Sequence, residues 1–129
     1  MKVLIQTGVT LIELMVVIVV LGIIAGIALP AYTGYVETSR QGECMNEVAA
    51  IRLAEEEFFL NQNSYFPGAT AAALGAASGN IYTPSTTFAA GTANCGVAVT
   101  LNGAGTQYTI TATGTGKLPT SYSYVITGP

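Results

Sequence analysis

Residues 9–29 form an apolar run that carries one charge, Glu13, and none from Leu14 onward. At about 1.5 Å per residue, a helix of this length spans roughly the 30 Å hydrocarbon core of a bilayer. The run is therefore expected to cross a membrane, unless it is a secretory signal that is cut away. The order of parts separates the two. An ordinary signal carries its small-residue cleavage site after the apolar stretch and is lost with it. Here Gly8 precedes the run, so cleavage after Gly8 would keep the hydrophobic segment in the mature chain. A carboxylate such as Glu13 is costly there, about 2.5 to 3.5 kcal/mol for Asp at the centre of an inserted helix, and such groups have a partner and a function. The alternative is that Glu13 sits near the helix start, within reach of headgroups and favoured by the N-terminal dipole.

The rest of the composition narrows the function classes. Charged residues make up 9 % of the 129-residue chain, against roughly 25 % for an ordinary soluble domain. There is no His and no Asp, so neither a Ser-His-Asp nor a Cys-His pair, nor a histidine metal cluster, is available. We expect no enzyme, no catalytic residue, no metal and no cofactor. The four cations, Lys2, Arg40, Arg52 and Lys117, are scattered at net charge -3, which argues against strong nucleic-acid binding. From Phe58 onward the only charged side chain is Lys117, so the surface of the second half favours association with neighbours.

The N-terminal residues resemble the type IV pilin family, which includes the related pseudopilins of type II secretion. The resemblance is carried by Gly8, then Val9-Thr10-Leu11-Ile12-Glu13-Leu14-Met15, the apolar run, and Pro30 followed by Ala31 and Tyr32. Val9 stands where the family usually has Phe. The resemblance implies a leader at residues 1–8, a membrane and filament-core helix at 9–31, and a globular domain at 32–129. It further implies cleavage between Gly8 and Val9 by a prepilin peptidase, and methylation of the new amine. In the family reading, Glu13 pairs with the Val9 amine of a neighbouring subunit and sets the register of a filament.

Gly22 and Gly26 form a GxxxG pattern, and Pro30 continues the four-residue spacing. Glycines at this spacing allow close helix approach in an apolar medium, and Pro30 removes a backbone donor where its ring presses on the Gly26 carbonyl. A generic transmembrane helix shows the same residues. The family implies instead that Gly22, Gly26 and Pro30 let the helix bend or unwind as subunits pass from bilayer to filament.

Beyond Pro30, helix formers continue to about Leu60. Cys44, Val48, Ile51 and Phe58 share one face, with Ala54 at its edge. Residues 65–94 read as a Gly/Ala/Ser/Thr connection with a short helix near 69–74. Three strands are expected from alternation at Val97, Val99 and Leu101, at Tyr108, Ile110 and Ala112, and at Tyr122, Tyr124 and Ile126. Turns fall at 102–105 and 114–119. The expected fold is α+β: a long helix whose outer half packs on a small antiparallel meander. The Glu55-Glu56-Glu57 run is read as a solvated face rather than a cation site, because consecutive helical residues do not converge.

Cys44 lies on the apolar helix face and Cys95 just before the first strand, so outside a bacterial membrane a Cys44–Cys95 bridge would staple helix to sheet. Free buried thiols are the alternative; a catalytic thiol would lack a His to activate it. Many pilins place their disulfide nearer the C-terminus, so a minor pilin and an unusual major pilin both remain open. The leading expectation is a pilus subunit, held once across the bacterial inner membrane among its lipids and then assembled with copies of itself by the pilus machinery into an extracellular filament. Adhesion, twitching motility and DNA uptake are the family's uses of such filaments. A type II secretion pseudopilin is the nearer alternative, although the family's calcium-holding acidic loop has no counterpart here, since no acid follows Glu57. A single-pass anchored binding module that never assembles is the more distant one.

Overall fold

A computed structural model describes residues 8–129, so residues 1–7 of the expected leader lie outside the described residues. The chain separates into two compact units, the second being Glu37–Pro129. Helix α1, Leu11–Gln62, runs through both sequence segments and contains Pro30. It ends two residues later than expected. Asn63 turns into the left-handed region at φ 53 and donates its N–H to the Phe59 carbonyl at 2.7 Å. Asn accepts this conformation at lower cost than most residues, which suits it to closing a helix.

Two short helices occupy the connection. In α2, Ala71–Ala77, the Thr70 hydroxyl caps the first turn by accepting from the Ala73 N–H at 3.2 Å. The helix expected at 69–74 is thus present but begins and ends later. Helix α3, Thr86–Ala89, was not anticipated; four residues are too few to show a period.

The sheet is the expected antiparallel meander in the order β1-β2-β3, with β1 Cys95–Leu101, β2 Tyr108–Gly114 and β3 Ser123–Gly128. Val99 lies opposite Ile110, and Ile110 opposite Ile126, so the apolar rows align on one face. The first turn is held by Asn102, whose Oδ1 accepts from the Thr106 and Gln107 N–H groups at 2.9 and 3.2 Å, with Gly105 at φ 68. Gly128 lies beneath the Tyr108 ring, where any Cβ would collide with it. Gly68 pairs with Val99 along the free edge of β1.

Cys44, Val48, Ile51 and Ala54 pack against Val97, Val99, Tyr108, Ile110 and Ala112, with Phe66 and Leu74 closing the core. Tyr122, just before β3, and Tyr124 and Ile126 within it are only half-buried against the core. Phe58 and Phe66 meet edge to face at 5.2 Å, and Tyr65 lies between Phe59 and Tyr108 at 4.8 and 4.9 Å. The α+β helix-on-meander fold expected from the sequence is the one observed.

One expectation fails. Glu56 and Glu57 are exposed, but Glu55 is completely buried and its Oε2 accepts the Phe66 N–H at 3.1 Å. The reason is angular: Glu55 follows Cys44, Val48 and Ile51 around the helix onto the covered face, and the chain turning at Asn63 brings an unpaired backbone donor to it.

Candidate assembly site

From Gly8 to Tyr35 every described residue is exposed, including Leu11 at 77 %, Ile27 at 72 % and most of the large aliphatic side chains between them. A continuous apolar surface of this extent is covered in use by lipid or by protein. Glu13 is the only charged side chain within it.

The local geometry of Glu13 follows from its distance to the helix start. Thr10 precedes the first helical residue, and its hydroxyl accepts the Glu13 N–H at 3.3 Å. The Glu13 carboxylate reaches back to the Thr10 N–H and hydroxyl, each at 3.5 Å. This is a reciprocal capping box, and Thr-Leu-Ile-Glu carries its sequence signature. The sequence reading set Glu13 against headgroups, the helix dipole and a neighbour's amine, and missed Thr10. The long contacts and the exposure of Glu13 leave carboxylate lone pairs open to another donor.

Gly22 and Gly26 present open faces, with nothing where a Cβ would sit. The helix continues through Pro30, whose carbonyl accepts the Thr33 hydroxyl at 2.9 Å. The carbonyl that loses its donor to Pro30 is that of Gly26, so the Thr33 contact lies in the turn after the perturbed one.

In Glu37–Pro129 the cysteines do come together: Cys44 and Cys95 form a disulfide with Cα atoms 6.1 Å apart, both buried. Around it, carboxylates of α1 hold the connection in place. Glu43 accepts from Asn94 Nδ2 at 2.9 Å and from the Thr87 hydroxyl at 3.5 Å. Glu47 accepts the buried Tyr82 hydroxyl. Burial and the neighbouring Glu47 carboxylate push the Tyr82 phenol far above its ordinary range. Glu55 is pushed up to about 7 because desolvation outweighs the Phe66 hydrogen bond, and its Oε1 has no hydrogen-bond partner. These roles for Glu43, Glu47 and Glu55 are invisible to periodicity, since their partners lie 11 to 51 residues away.

Among the described residues the cations do not converge. Arg52 pairs with Glu56 at 3.3 Å on the same helix, while Lys117 stands on the connection between β2 and β3. Among the described residues no group of three His, Cys, Asp or Glu is placed to hold a metal ion.

A helix with an exposed apolar first half and an outer half packed on a three-stranded meander defines a filament-type subunit rather than a catalytic one. The chain belongs to the type IV pilin family: the model for the type IV minor pilin ComP, DNA uptake sequence receptor, matches residues 30–121, and the prokaryotic N-terminal methylation motif matches residues 5–29. The family is structural, not enzymatic. The chain is 36 % identical over 109 residues to fimbrial protein EcpC of Eikenella corrodens, covering 84 % of this chain and 63 % of that protein. It is 38 % identical over 65 residues to a fimbrial protein of Pseudomonas aeruginosa, covering 50 % of this chain and 42 % of that one. With the type IV major fimbrial protein FimA of Dichelobacter nodosus it shares 43 % identity over 56 residues, 43 % of this chain and 36 % of that protein. The chain thus spans between about a third and two thirds of the length of these relatives. No solved structure matches it.

Proposed function

We propose that this chain is made as an inner-membrane precursor, cut after Gly8 by a prepilin peptidase, and polymerised through residues 9–31 by the pilus machinery into an extracellular filament. The observation that carries this reading is the lone Glu13 on the exposed apolar first half of α1. After cleavage the Val9 amine is a new cation one residue before Thr10. A neighbouring copy's amine in an apolar filament core would find in Glu13 the one carboxylate of the run, and leaving either charge unpaired there is costly. Gly22, Gly26 and Pro30 are the places where the helix yields as it leaves the bilayer, and residues 32–129 form the domain carried on its outer half.

Three measurements test this. Intact mass of filament protein should begin at Val9, with the increment of a methyl group; a chain beginning at Met1 or beyond Leu29 would contradict it. Electron microscopy of producing cells should show filaments containing the chain. Glu13→Ala should leave membrane insertion and processing intact but lower filament yield at least about tenfold, the effect of stranding one charge of a desolvated pair. Normal filaments from that variant would remove the assigned role and favour an anchored module that does not assemble.

A further inference from the structure

In Glu37–Pro129 four of the six acids are already engaged. Glu43, Glu47 and Glu55 accept hydrogen bonds from Asn94, Tyr82 and Phe66, and Glu56 pairs with Arg52. Glu37 and Glu57 are both exposed and have no ion-pair partner among the described residues, but of the two only Glu57 borders an open groove of about 360 Å³, lined with Ala50, Leu53, Ala54, Ile81 and Tyr82. Leu53 is 68 % exposed in that groove. Lys117 is its counterpart. It is the only charge after Glu57, is exposed, and likewise has no ion-pair partner among the described residues.

The two charges stand toward opposite ends of this unit along α1. Lys117 follows Gly116, at φ 64, in a turn tied to the Cys44 end: Gly114 pairs with Cys95, the Thr115 N–H donates to the Asn94 carbonyl at 2.8 Å, and Cys95 is bonded to Cys44. The buried Leu118 anchors the turn, so Lys117 is presented on a held loop rather than a free one. Glu57 lies thirteen residues farther along the helix than Cys44, roughly 20 Å at 1.5 Å per residue. They cannot pair within one copy. A complementary pair set at two ends of a subunit makes a head-to-tail contact, which is the class that propagates into an open helical array rather than closing into a dimer.

We infer that the Ala50, Leu53 and Ile81 groove, with Glu57 at its rim, docks the Lys117 turn of a second copy of this chain, stacked end to end along the filament. The inference rests on the filament reading and adds to it a contact outside the N-terminal helix. The groove supplies apolar area, and the Glu57 to Lys117 pair at the rim selects the register and suppresses like-charged juxtapositions.

The test is a charge swap in the full chain, produced in cells that assemble the filament. Glu57→Lys and Lys117→Glu should each lower sheared-filament yield by about tenfold, the scale expected when like charges are brought together at an interface. The double variant should recover to within about twofold of the parent. Subunit amount in the membrane and the intact Cys44–Cys95 bond, read on non-reducing gels, exclude misfolding; should a reversal lower either, Glu57→Gln and Lys117→Gln take its place, each weakening assembly with no rescue expected from the pair. Normal yield from both single variants overturns the inference, as does a double reversal no better than its singles. Neither result touches the filament reading, which fails on its own tests, first of all if the parent chain itself yields no filaments.

Discussion

Glu55 shows how much one buried carboxyl can govern. In the folded chain it holds its proton up to about pH 7, whereas in the unfolded chain it releases it near 4.5. Below 4.5 the acid is neutral in both states and costs nothing extra. Between 4.5 and 7 the unfolded chain gains from ionisation and the folded chain does not, so stability falls as pH rises, by roughly 3 kcal/mol across the window. Above about 7 both states are ionised and the loss levels off. Glu55→Gln keeps an oxygen for the Phe66 N–H and removes the titration. Its stability relative to the parent should therefore climb between pH 4.5 and 7 and stay flat above, measured by denaturant unfolding of the chain in detergent. A difference that does not vary with pH would show that Glu55 ionises freely in the folded state. Three consecutive glutamates near a helix end resemble a solvated patch, and only the partner brought back by the turn at Asn63 distinguishes the first of them. Thr10 was more legible, because Thr-Leu-Ile-Glu is itself a local signal.

Among the elements, α1 and the three strands were readable because each buries one side. Helical spacing placed Cys44, Val48 and Ile51 together, and strict alternation in β2 put Tyr108, Ile110 and Ala112 on the inner face. The connection was less readable, since α2 and α3 are built largely from Ala and Thr and are positioned by contacts with α1 and β1 rather than by a pattern of their own. The Cys44–Cys95 bond ties these elements by closing a loop with a sequence separation of 51. In the chain-entropy account such a loop contributes about 4 kcal/mol. Cys44→Ser with Cys95→Ser should accordingly lower the unfolding free energy by several kcal/mol, with much weaker subunit accumulation outside the membrane. An unfolding midpoint unchanged from the parent under oxidising conditions would show that packing of Val48 and Ile51 alone holds helix to sheet.

At the scale of the molecule, the distribution of charge bears on what a filament of this chain can hold. Duplex DNA, a dense row of phosphates, is the ligand that reads this distribution most directly. Phosphate recognition depends on several cations acting together, because each contact releases counterion and the contributions multiply. In Glu37–Pro129 one of the three cations, Arg52, is paired with Glu56, and Arg40 lies on the helix beside Glu37 and Glu43. Lys117 alone stands on the sheet side. Base stacking offers no substitute, since Tyr108 is buried in the core and Tyr122 and Tyr124 are half-covered on the same inner face. A fragment beginning at Tyr32 should therefore bind duplex DNA no more tightly than nonspecific association, with Kd above about 1 μM at physiological salt. Filter retention or fluorescence anisotropy with several sequences reads this directly. Nanomolar, sequence-selective binding would mean that backbone donors and the hydroxyl-bearing outer face of the sheet recognise DNA with a single lysine per subunit, and would place this chain with the DNA-receiving pilins.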